Sequence, residues 1–507
     1  MNKRVMNLVN FVRGCEPRCE TDLYTPVAEE IRLDKEFGMP HTFLLQYDAL
    51  IRPDFRELFL READENMELG LWFEMNRPLT ESVGIEWRGR PGYDWDWYVN
   101  PGFLPAYTPA QREAMIDEAF RLFHEIFGYY PKVAGSWLLD AHSIAYMSDK
   151  YDMKAFCVCR EQLAVDAYTL WGGYYSGGYY PSRNNMICPA QTEENTIKTP
   201  VYRMLGIDPL YGIDIGKYAG GRLWGCPTME PVWGPGANAD TMEHFFKYYY
   251  ENPCLAQAHA TTGQENSFGW PSIGPGYRMQ LEKLAKLIAD GKVVVEKLGD
   301  TGAAMQAATA ITPACALVAL EDWAHDADDA EHKCRSVWYS CKNYRANLFS
   351  CGKKLFFRDL QKYDDRYVER YLETPCLAWD ATYDNLPVMD NLTWSADGVE
   401  AMLAFDGELC DLAANEKGEA LEATATFADG HSVTVRFAEG GITVTGCEAL
   451  HYIVGIPKPT VTAEGNVLSY VHNDYAYRVP TSGLVKTDSG YDVVAANGAI
   501  TVDMTDR

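Results

Sequence analysis

The sequence lacks the features that would assign it to a membrane or to nucleic acid. No apolar run approaches the roughly 20 residues that a membrane-spanning helix needs, and the first residues are too polar for a signal-peptide core. Basic residues are also scarce, since 45 Lys and Arg stand against 72 Asp and Glu, a formal net charge of −27. Because an acidic surface repels phosphate groups, we expect neither nucleic acid nor an anionic membrane as a partner.

Several sequence motifs of common enzyme classes are also missing. There is no P-loop, no G-x-G-x-x-G opening a helix after a strand, and no G-x-S-x-G nucleophile elbow. The 14 cysteines are scattered, and neither Cys15/Cys19 nor Cys157/Cys159 has the spacing of a zinc site. They fit buried thiols in a reducing compartment. We therefore expect a soluble, cytoplasmic protein without a resident cofactor. Whether it forms a homo-oligomer stays open.

The first 300 residues alternate short apolar segments with amphipathic helices. At 507 residues, with 47% apolar residues, the chain is long enough for two or three domains with large cores. Strands separated by helices are typical of parallel βαβ units. The predicted strands are 8–12, 42–46, 69–73, 133–139, 155–159, 201–205, 255–259 and 293–295. The sequence therefore predicts an α/β fold, an irregular seven-stranded (β/α) barrel over residues 1–300.

The C-terminal third has a different pattern. After a predicted connecting helix at 313–323, short segments alternate apolar and polar residues, as in 423–427 and 432–437, with turn residues such as Asp429-Gly430 between them. This alternation is typical of an antiparallel β-sandwich. We expect a helical connector over residues 301–329 and a β-sandwich domain over residues 330–507.

Acidic residues follow nearly every predicted strand of the barrel. Ligands of a β/α barrel bind at the C-terminal ends of its strands. The acids at these ends are Glu16, Asp48, Glu74, Asp140, Glu161 and Glu265. So many carboxylates at one mouth cannot all stay ionised, unless arginines such as Arg13 and Arg18 or a cation neutralise them. A protonated acid beside an ionised one is what cleavage of a glycosidic bond requires.

Aromatic residues are concentrated in the predicted loops of the same domain. Trp95 and Trp97 lie in a W-D-W segment, and Trp171 lies in another aromatic loop. Flat rings can bury the apolar faces of sugars while amides and carboxylates bind the hydroxyls. Alternatively, these rings pack the loops onto the barrel.

Two other interpretations apply to the segment after the fourth strand. Asp140 could simply cap the following helix. Asp140 and His142, with a third acid, could also bind a divalent cation. Otherwise His142 would orient a carboxylate or bind a substrate hydroxyl.

The order of several segments resembles a known superfamily of barrels. Strand one, followed by T-F-L-L at 42–45, E-L-G-L-W at 68–72 and Y-P-K-V at 130–133, is similar to the polysaccharide deacetylase and glycoside hydrolase barrels, which include families 38 and 57. The resemblance covers roughly residues 5–300. It implies an irregular seven-stranded β/α barrel and, in the hydrolases, a β-rich C-terminal region. The W-D-W, S-W-x-x-D-A-H and G-Q-E-N segments also resemble bacterial members to which the resemblance assigns no activity.

The departures from that superfamily bear on the reaction. The deacetylases bind their metal with an Asp-Asp pair after strand one and an H-x-x-x-H motif after strand three. This chain has Cys15-Glu16 at the first place and Trp72 and Asn76 at the histidine positions. Family 57 implies a Glu nucleophile after strand four and an Asp acid after strand seven. This chain has Asp140 after strand four and Glu265 after strand seven, so the two residue types are exchanged.

The sequence thus favours a glycoside hydrolase acting on a small oligosaccharide or glycoside. The predicted catalytic pair is Asp140 and Glu265, with Glu74 and Glu161 in reserve. The predicted substrate-binding residues are Arg13, Glu16, Arg18, Asp48, Trp95, Trp97, His142, Trp171, Gln264 and Asn266. The alternatives are an atypical metal-dependent hydrolase or deacetylase, a sugar isomerase, epimerase or lyase, and an inactive carbohydrate-binding protein.

Overall fold

The structure is a computed structural model. It describes residues 3–159, 161–165, 168–175, 177–204, 229–232, 236–322, 330–331, 333–383, 385–390, 402–454 and 460–507. No helix among these residues has both the length and the apolar character that crossing a membrane requires.

A mixed sheet that curls until it is nearly closed dominates the first 300 residues. Its main part is a row of seven parallel strands: β1 (Lys3–Val12), β2 (His41–Leu45), β3 (Met67–Trp72), β4 (Val133–Gly135), β5 (Ala155–Cys159), β11 (Val201–Met204) and β12 (Gln257–Thr262). They lie in the order β12-β1-β2-β3-β4-β5-β11. At the two edges, the rings of Tyr202 and His259 are 4.5 Å apart. Within the described residues no strand pairing joins β11 to β12.

Short strands and helices surround this sheet. β13 (Val294–Glu296) pairs parallel with β1, and β8 (Gly178–Tyr179) pairs antiparallel with β11. The others are β6 (Gln162–Val165), β7 (Tyr168–Leu170), β9 (Pro181–Ser182) and β10 (Asn185–Pro189). The helices are α1 (Tyr24–Phe37), α2 (Tyr47–Ile51), α3 (Pro53–Glu62), α4 (Arg77–Ser82), α5 (Val99–Gly102), α6 (Pro109–Phe127), α7 (Ala141–Tyr151), α8 (Ala239–Tyr250), α9 (Trp270–Ala289) and α10 (Leu298–Ala308), with 3₁₀ turns at Leu104–Ala106 and Asn266–Phe268.

Local sequence signals explain where the helices begin and end. Thr108 and Gln111 form a capping box at the start of α6, and Pro109 occupies its first turn. Gly128 ends α6 in the left-handed region with φ 81°, where a side chain would be strained. Such signals lie within a few residues of each other, so the sequence alone predicts them well.

Antiparallel sheets make up most of the C-terminal third. A nine-stranded sheet contains β14 (Cys315–Ala319), β15 (Cys334–Ser340), β16 (Tyr344–Cys351), β17 (Lys354–Lys362), β19 (Leu386–Asp390), β20 (Met402–Ala404), β25 (Ala449–Ile453), β29 (Leu484–Lys486) and β30 (Gly490–Val494). A five-stranded sheet contains β21 (Leu409–Lys417), β22 (Ala420–Phe427), β23 (Ser432–Ala438), β24 (Gly441–Thr445) and β31 (Ala499–Asp503). Smaller sheets contain β18 (Ala381–Thr382), β26 (Thr460–Glu464), β27 (Val467–His472) and β28 (Tyr475–Pro480). The rings of Tyr339 and Phe437 stack 5.7 Å apart between the two large sheets, inside a shared hydrophobic core.

The α/β class and the eight predicted strands are confirmed, but the predicted helix at 313–323 is wrong. Residues 315–319 form β14, which pairs antiparallel with β15. A short, fully apolar segment has no periodicity that separates a buried strand from a helix. Its pairing partner lies beyond residues 323–329, part of the predicted connector, which are outside the described residues.

Candidate active site

The carboxyl ends of three strands, β12, β1 and β3, bring five charged side chains together. Because β12, β1, β2 and β3 are adjacent, the residues that follow them meet at one end of the sheet. We call these five side chains the Arg13 cluster: Arg13, Glu16, Arg18, Glu74 and Glu265. The cluster unites both predicted arginines with three of the six predicted acids.

Two glycines allow this close approach. A Cβ atom on Gly263, just after β12, would lie 1.6 Å from the carbonyl oxygen of Val9 in β1. A Cβ atom on Gly14 would lie 2.4 Å from the main chain of Asp48. Only glycine fits at both places, so these residues determine how near Glu265 comes to the end of β1.

Arg13 is the centre of the cluster. Its Nε and Nη2 donate to the two oxygens of Glu74 at 3.0 and 3.1 Å, and its Nη1 donates to Glu265 Oε1 at 2.7 Å. Nη1 also lies 3.8 Å from Glu16 Oε2. Burial lowers the pKa of Arg13, but the charges of Glu265 and Glu74 outweigh it and raise that pKa above its ordinary value. The guanidinium therefore stays charged and neutralises its neighbours.

Glu74 forms the buried back wall of the cluster. Its side chain has no exposure, and Gln46 Nε2 donates to the same oxygen as Arg13 Nε. Burial raises the pKa of Glu74, although the charge of Arg13 opposes this. Glu74 therefore holds Arg13 from the buried side of the cluster.

Arg18 lies across the solvent side. Its Nε donates to Glu16 Oε1 at 2.7 Å, its Nη2 contacts Glu16 Oε2, and Nη2 lies 3.4 Å from Glu265 Oε1. The Arg18 side chain is 34% exposed, whereas those of Glu16 and Glu265 are buried. Burial raises the pKa of Glu16, but hydrogen bonds from Arg18 outweigh it and hold that pKa below its usual range. Glu16 is therefore ionised at neutral pH.

Aromatic rings wall the cluster. The guanidinium carbons of Arg13 and Arg18 lie 4.0 and 4.8 Å from the ring centroid of Trp95. The guanidinium carbon of Arg18 also lies 5.9 Å from the ring centroid of Trp97. Phe11 and Trp72 stack at 4.2 Å beside the same strand ends. These rings exclude water and so strengthen the ion pairs.

The remaining residues near the cluster hold its loops. Asn266 Oδ1 accepts from the Arg13 main chain at 2.9 Å, and the Gln264 main-chain N–H donates to Asn10 at 2.9 Å. Asp48 Oδ2 accepts from the Cys15 main chain at 2.9 Å, and burial raises the pKa of Asp48. The sequence predicts that Gln264, Asn266 and Asp48 bind substrate. In the structure, their contacts within the chain hold the loops that carry the cluster.

Asp140 and His142 lie in a different network from the Arg13 cluster. Asp140 Oδ1 accepts from Arg112 Nη1 at 2.8 Å and from the main chain of Ser143 at 2.8 Å, so Asp140 caps α7. His142 Nε2 lies 2.9 Å from Glu113 Oε1. These contacts fit the capping alternative for Asp140 and give His142 a separate carboxylate partner.

The residues present do not match a deacetylase metal site. Trp72 takes part in ring stacking, and Asn76 caps α4 by accepting from the Leu79 main chain at 3.1 Å. Within the part of the chain that the structure describes, no three His, Cys, Asp or Glu side chains are grouped to hold a metal ion. At the Arg13 cluster, a guanidinium lies where the carboxylates converge.

Glu161 and Trp171 belong to a third network, which is buried and connects the mixed sheet to the nine-stranded sheet. Arg203 Nη1 lies 3.4 Å from Glu161 Oε1, and Arg345 of β16 pairs with the same oxygen. Arg345 also binds Asp359 through two hydrogen bonds of 2.9 and 3.0 Å. Trp171 is buried beneath this network. Both residues therefore join the mixed sheet to the C-terminal third of the chain.

Four contributing residues were missed by the sequence argument. Gln46 and Ser267 both donate to cluster carboxylates. Gln46 directly follows β2 and Ser267 lies two residues after Glu265, so their positions could have indicated them. Arg112 lies inside α6, and Glu369 lies in the C-terminal third. No local pattern points from either of these two residues to Asp140.

Glu369 gives a prediction for the pH dependence of stability. It accepts from the main chains of Ala141 and Met186 at 2.8 Å each. Burial, reinforced by the charge of Asp140, raises the pKa of Glu369 from 4.5 to about 8. Because the folded state holds this proton more tightly, the stabilisation is complete below pH 4.5 and is lost as the pH rises to about 8.

We expect Glu369→Gln to flatten this part of the pH profile. Its free energy of unfolding should change less between about pH 5 and about pH 8 than that of the wild type, by at most about 1.4 kcal/mol per pH unit. Urea unfolding at both pH values measures the difference. Identical slopes would contradict the assignment, whatever the absolute stability of the variant.

The fold and the site place the chain among α/β proteins with charged residues at the strand ends. The sequence matches no protein-family model and no curated protein. Among solved structures, a predicted glycoside hydrolase/deacetylase from Parabacteroides distasonis is similar with a TM-score of 0.55 and 14% identity, over 75% of this chain and 90% of that one. This likeness confirms, for the fold, the resemblance predicted from the sequence.

Two further structures are similar with lower scores. A predicted polysaccharide deacetylase from Mycobacterium smegmatis has a TM-score of 0.36 and 10% identity, over 61% of this chain and 91% of that one. A family 57 branching enzyme from Thermococcus kodakaraensis, solved with glucose, has a TM-score of 0.29 and 10% identity, over 59% of this chain and 70% of that one.

Proposed function

We propose that the chain is a carbohydrate-processing hydrolase and, more specifically, a glycoside hydrolase that reacts at the Arg13 cluster. The fold shared with the Parabacteroides distasonis protein supports the first statement. The second statement depends on one observation, the spacing of Glu16 and Glu265 about the two arginines. A two-carboxylate mechanism needs two acids on either side of one bond.

The contacts of Arg13 limit that spacing. Its Nη1 lies 2.7 Å from Glu265 Oε1 and 3.8 Å from Glu16 Oε2, so those oxygens are no further apart than the sum of these distances. That sum does not exceed roughly 6.5 Å, the lower limit for the carboxyl groups of inverting glycosidases. Because this upper bound falls at the lower limit of the inverting range, it favours the shorter spacing of a reaction that retains the anomeric configuration.

We assign the two roles from the environment of Glu16. Glu16, whose pKa is held low by Arg18, attacks the anomeric carbon as the nucleophile. Glu265 protonates the leaving oxygen and then removes a proton from the incoming water. Arg18, the exposed member of the cluster, moves aside as the sugar binds. Arg13 and Glu74 keep the two acids in position.

We retain Glu265 from the predicted catalytic pair and propose Glu16 in place of Asp140. The carboxylate of Asp140 is engaged by Arg112 and by the first turn of α7. That of Glu161 is engaged by Arg203 and Arg345. The arginine partners of Asp140 and Glu161 are themselves buried, whereas Arg18, the partner of Glu16, is 34% exposed and can give way to a substrate.

A mechanism-based label tests this proposal. A panel of aryl glycosides would identify a cleaved sugar, and its 2-deoxy-2-fluoro glycosyl fluoride would trap the nucleophile for peptide mass spectrometry. We expect the label on Glu16 and a retained anomer in the product by ¹H NMR. A label on another residue or an inverted product would contradict the mechanism. Acetate release without glycoside cleavage would favour the deacetylase alternative instead.

Other expectations from the sequence also stand as proposals. For the architecture we propose a closed seven-stranded barrel over residues 1–300, a connector over 301–329 and a β-sandwich over 330–507. We also propose a cytoplasmic protein that needs no resident metal and acts on a small carbohydrate, alone or as a homo-oligomer.

A further inference from the structure

Four aromatic rings lead from the Arg13 cluster towards solvent. We call them the aromatic track: Trp95, Trp97, Tyr98 and Trp379. Successive ring centroids are 6.2, 5.6 and 4.5 Å apart. The first three rings belong to the loop after α4, and the fourth comes from the C-terminal third of the chain.

Exposure increases along the track. Trp95 is 1% exposed, Trp97 and Tyr98 are half-buried, and Trp379 is 48% exposed. Trp379 is nonetheless fixed, because its carbonyl oxygen accepts from the Val99 main chain at 2.9 Å and its ring meets Tyr98 edge-on. A large ring held rigid at the surface, continuous with a buried charged site, is typical of a binding platform.

The polar groups beside the track are paired one to one. Arg90 lies 4.0 Å from the Trp97 ring centroid and 5.0 Å from that of Tyr98, and it binds Asp96 through two hydrogen bonds of 2.9 Å each. Arg18 is paired with Glu16 in the same way. The track therefore combines apolar ring faces and hydrogen-bonding groups with no net cationic charge.

We infer that the aromatic track binds a neutral oligosaccharide several units long, with Trp379 stacking on a sugar remote from the cleaved bond. Rings bury the apolar faces of pyranoses, and the paired arginines have further N–H groups for hydroxyls. An anionic glycan would need unpaired cations, which these one-to-one pairs do not supply. This inference rests on the proposed function in placing the cleaved bond at the Arg13 cluster.

Binding measured against chain length tests the inference. The probes are neutral gluco-, manno- and xylo-oligosaccharides of one to six units and oligogalacturonates of the same lengths, titrated calorimetrically into the Glu265→Gln protein to prevent cleavage. We expect affinity for one neutral series to rise with length. Adding Trp379→Ala should weaken binding of its longest member by roughly tenfold and flatten the length dependence.

Two variants make the result specific. Trp379→Phe keeps a flat ring and should restore most of the length dependence. Tyr130→Ala removes a surface ring that is 43% exposed and stacks near His124, away from the track, and should change nothing. Urea unfolding of each variant confirms that the fold is intact.

The possible failures are distinguishable. Affinity independent of length, an unchanged Trp379→Ala variant, tighter binding of oligogalacturonates, or no binding by any probe would overturn the inference. Length-dependent binding without cleavage by the wild type would overturn the proposed hydrolysis and leave the track standing. Cleavage by the wild type without length-dependent binding would overturn the aromatic track as a binding site and leave the proposed hydrolysis standing.

Discussion

Replacing Asp140 with asparagine is expected to destabilise the protein by about 3 to 5 kcal/mol. The side chains of Asp140 and Arg112 are both fully buried and lie 2.8 Å apart. Asparagine has the same shape and can still cap α7, but it leaves the Arg112 guanidinium without its counter-charge. A buried charge that loses its partner costs far more than the pair contributed.

Urea unfolding at neutral pH measures this loss, and the chain contains a matched control. Asp149 pairs with Arg183 at the same distance of 2.8 Å, but the two side chains are 58% and 36% exposed. Asp149→Asn should therefore change the free energy of unfolding by no more than about 1 kcal/mol. Equal effects of the two substitutions would show that burial does not determine the strength of the Asp140 pair.

The same variant separates a structural from a catalytic role for Asp140. If Asp140 acts only as a cap and a counter-charge, the folded fraction of Asp140→Asn should keep its turnover number on the identified glycoside. A large fall in kcat for a fully folded variant would restore Asp140 to the catalytic pair.

Glu265→Gln is expected to lower kcat by roughly 10²- to 10⁴-fold. The amide cannot exchange a proton with the leaving oxygen or with water. Arg13 keeps its two hydrogen bonds to Glu74, so the fold should be retained. Initial rates on the glycoside identified by the screen, with an unfolding curve for the same sample, measure both effects.

Glu422→Gln is the control for this substitution. Glu422 pairs with Arg436 at 2.7 Å, the distance that separates Glu265 from Arg13, but it lies in β22 of the five-stranded sheet, where its side chain is 28% exposed. Its turnover should equal that of the wild type. Glu265→Gln with wild-type turnover would remove Glu265 from the mechanism and leave the Arg13 cluster as a structural feature.

Prediction from the sequence succeeded where the signals are local. The eight predicted strands exist because each is a short apolar run bounded by caps and turns, and those boundaries need only neighbouring residues. The predicted helix at 313–323 failed because a buried strand and a buried helix can have the same apolar composition. Only the partner strand β15 decides between them.

By itself, the sequence determined the succession of strands and helices and the acidic residues at the strand ends, because these follow from hydrophobic periodicity and position along the chain. Only the tertiary structure decided which acids meet. Arg13 and Glu265 are neighbours because β1 and β12 pair in space. Asp140 and Glu161 have partners in Arg112 and Arg345, remote in sequence, which neutralise them elsewhere. Side-chain charges pair across the fold, so no sequence pattern could assign them.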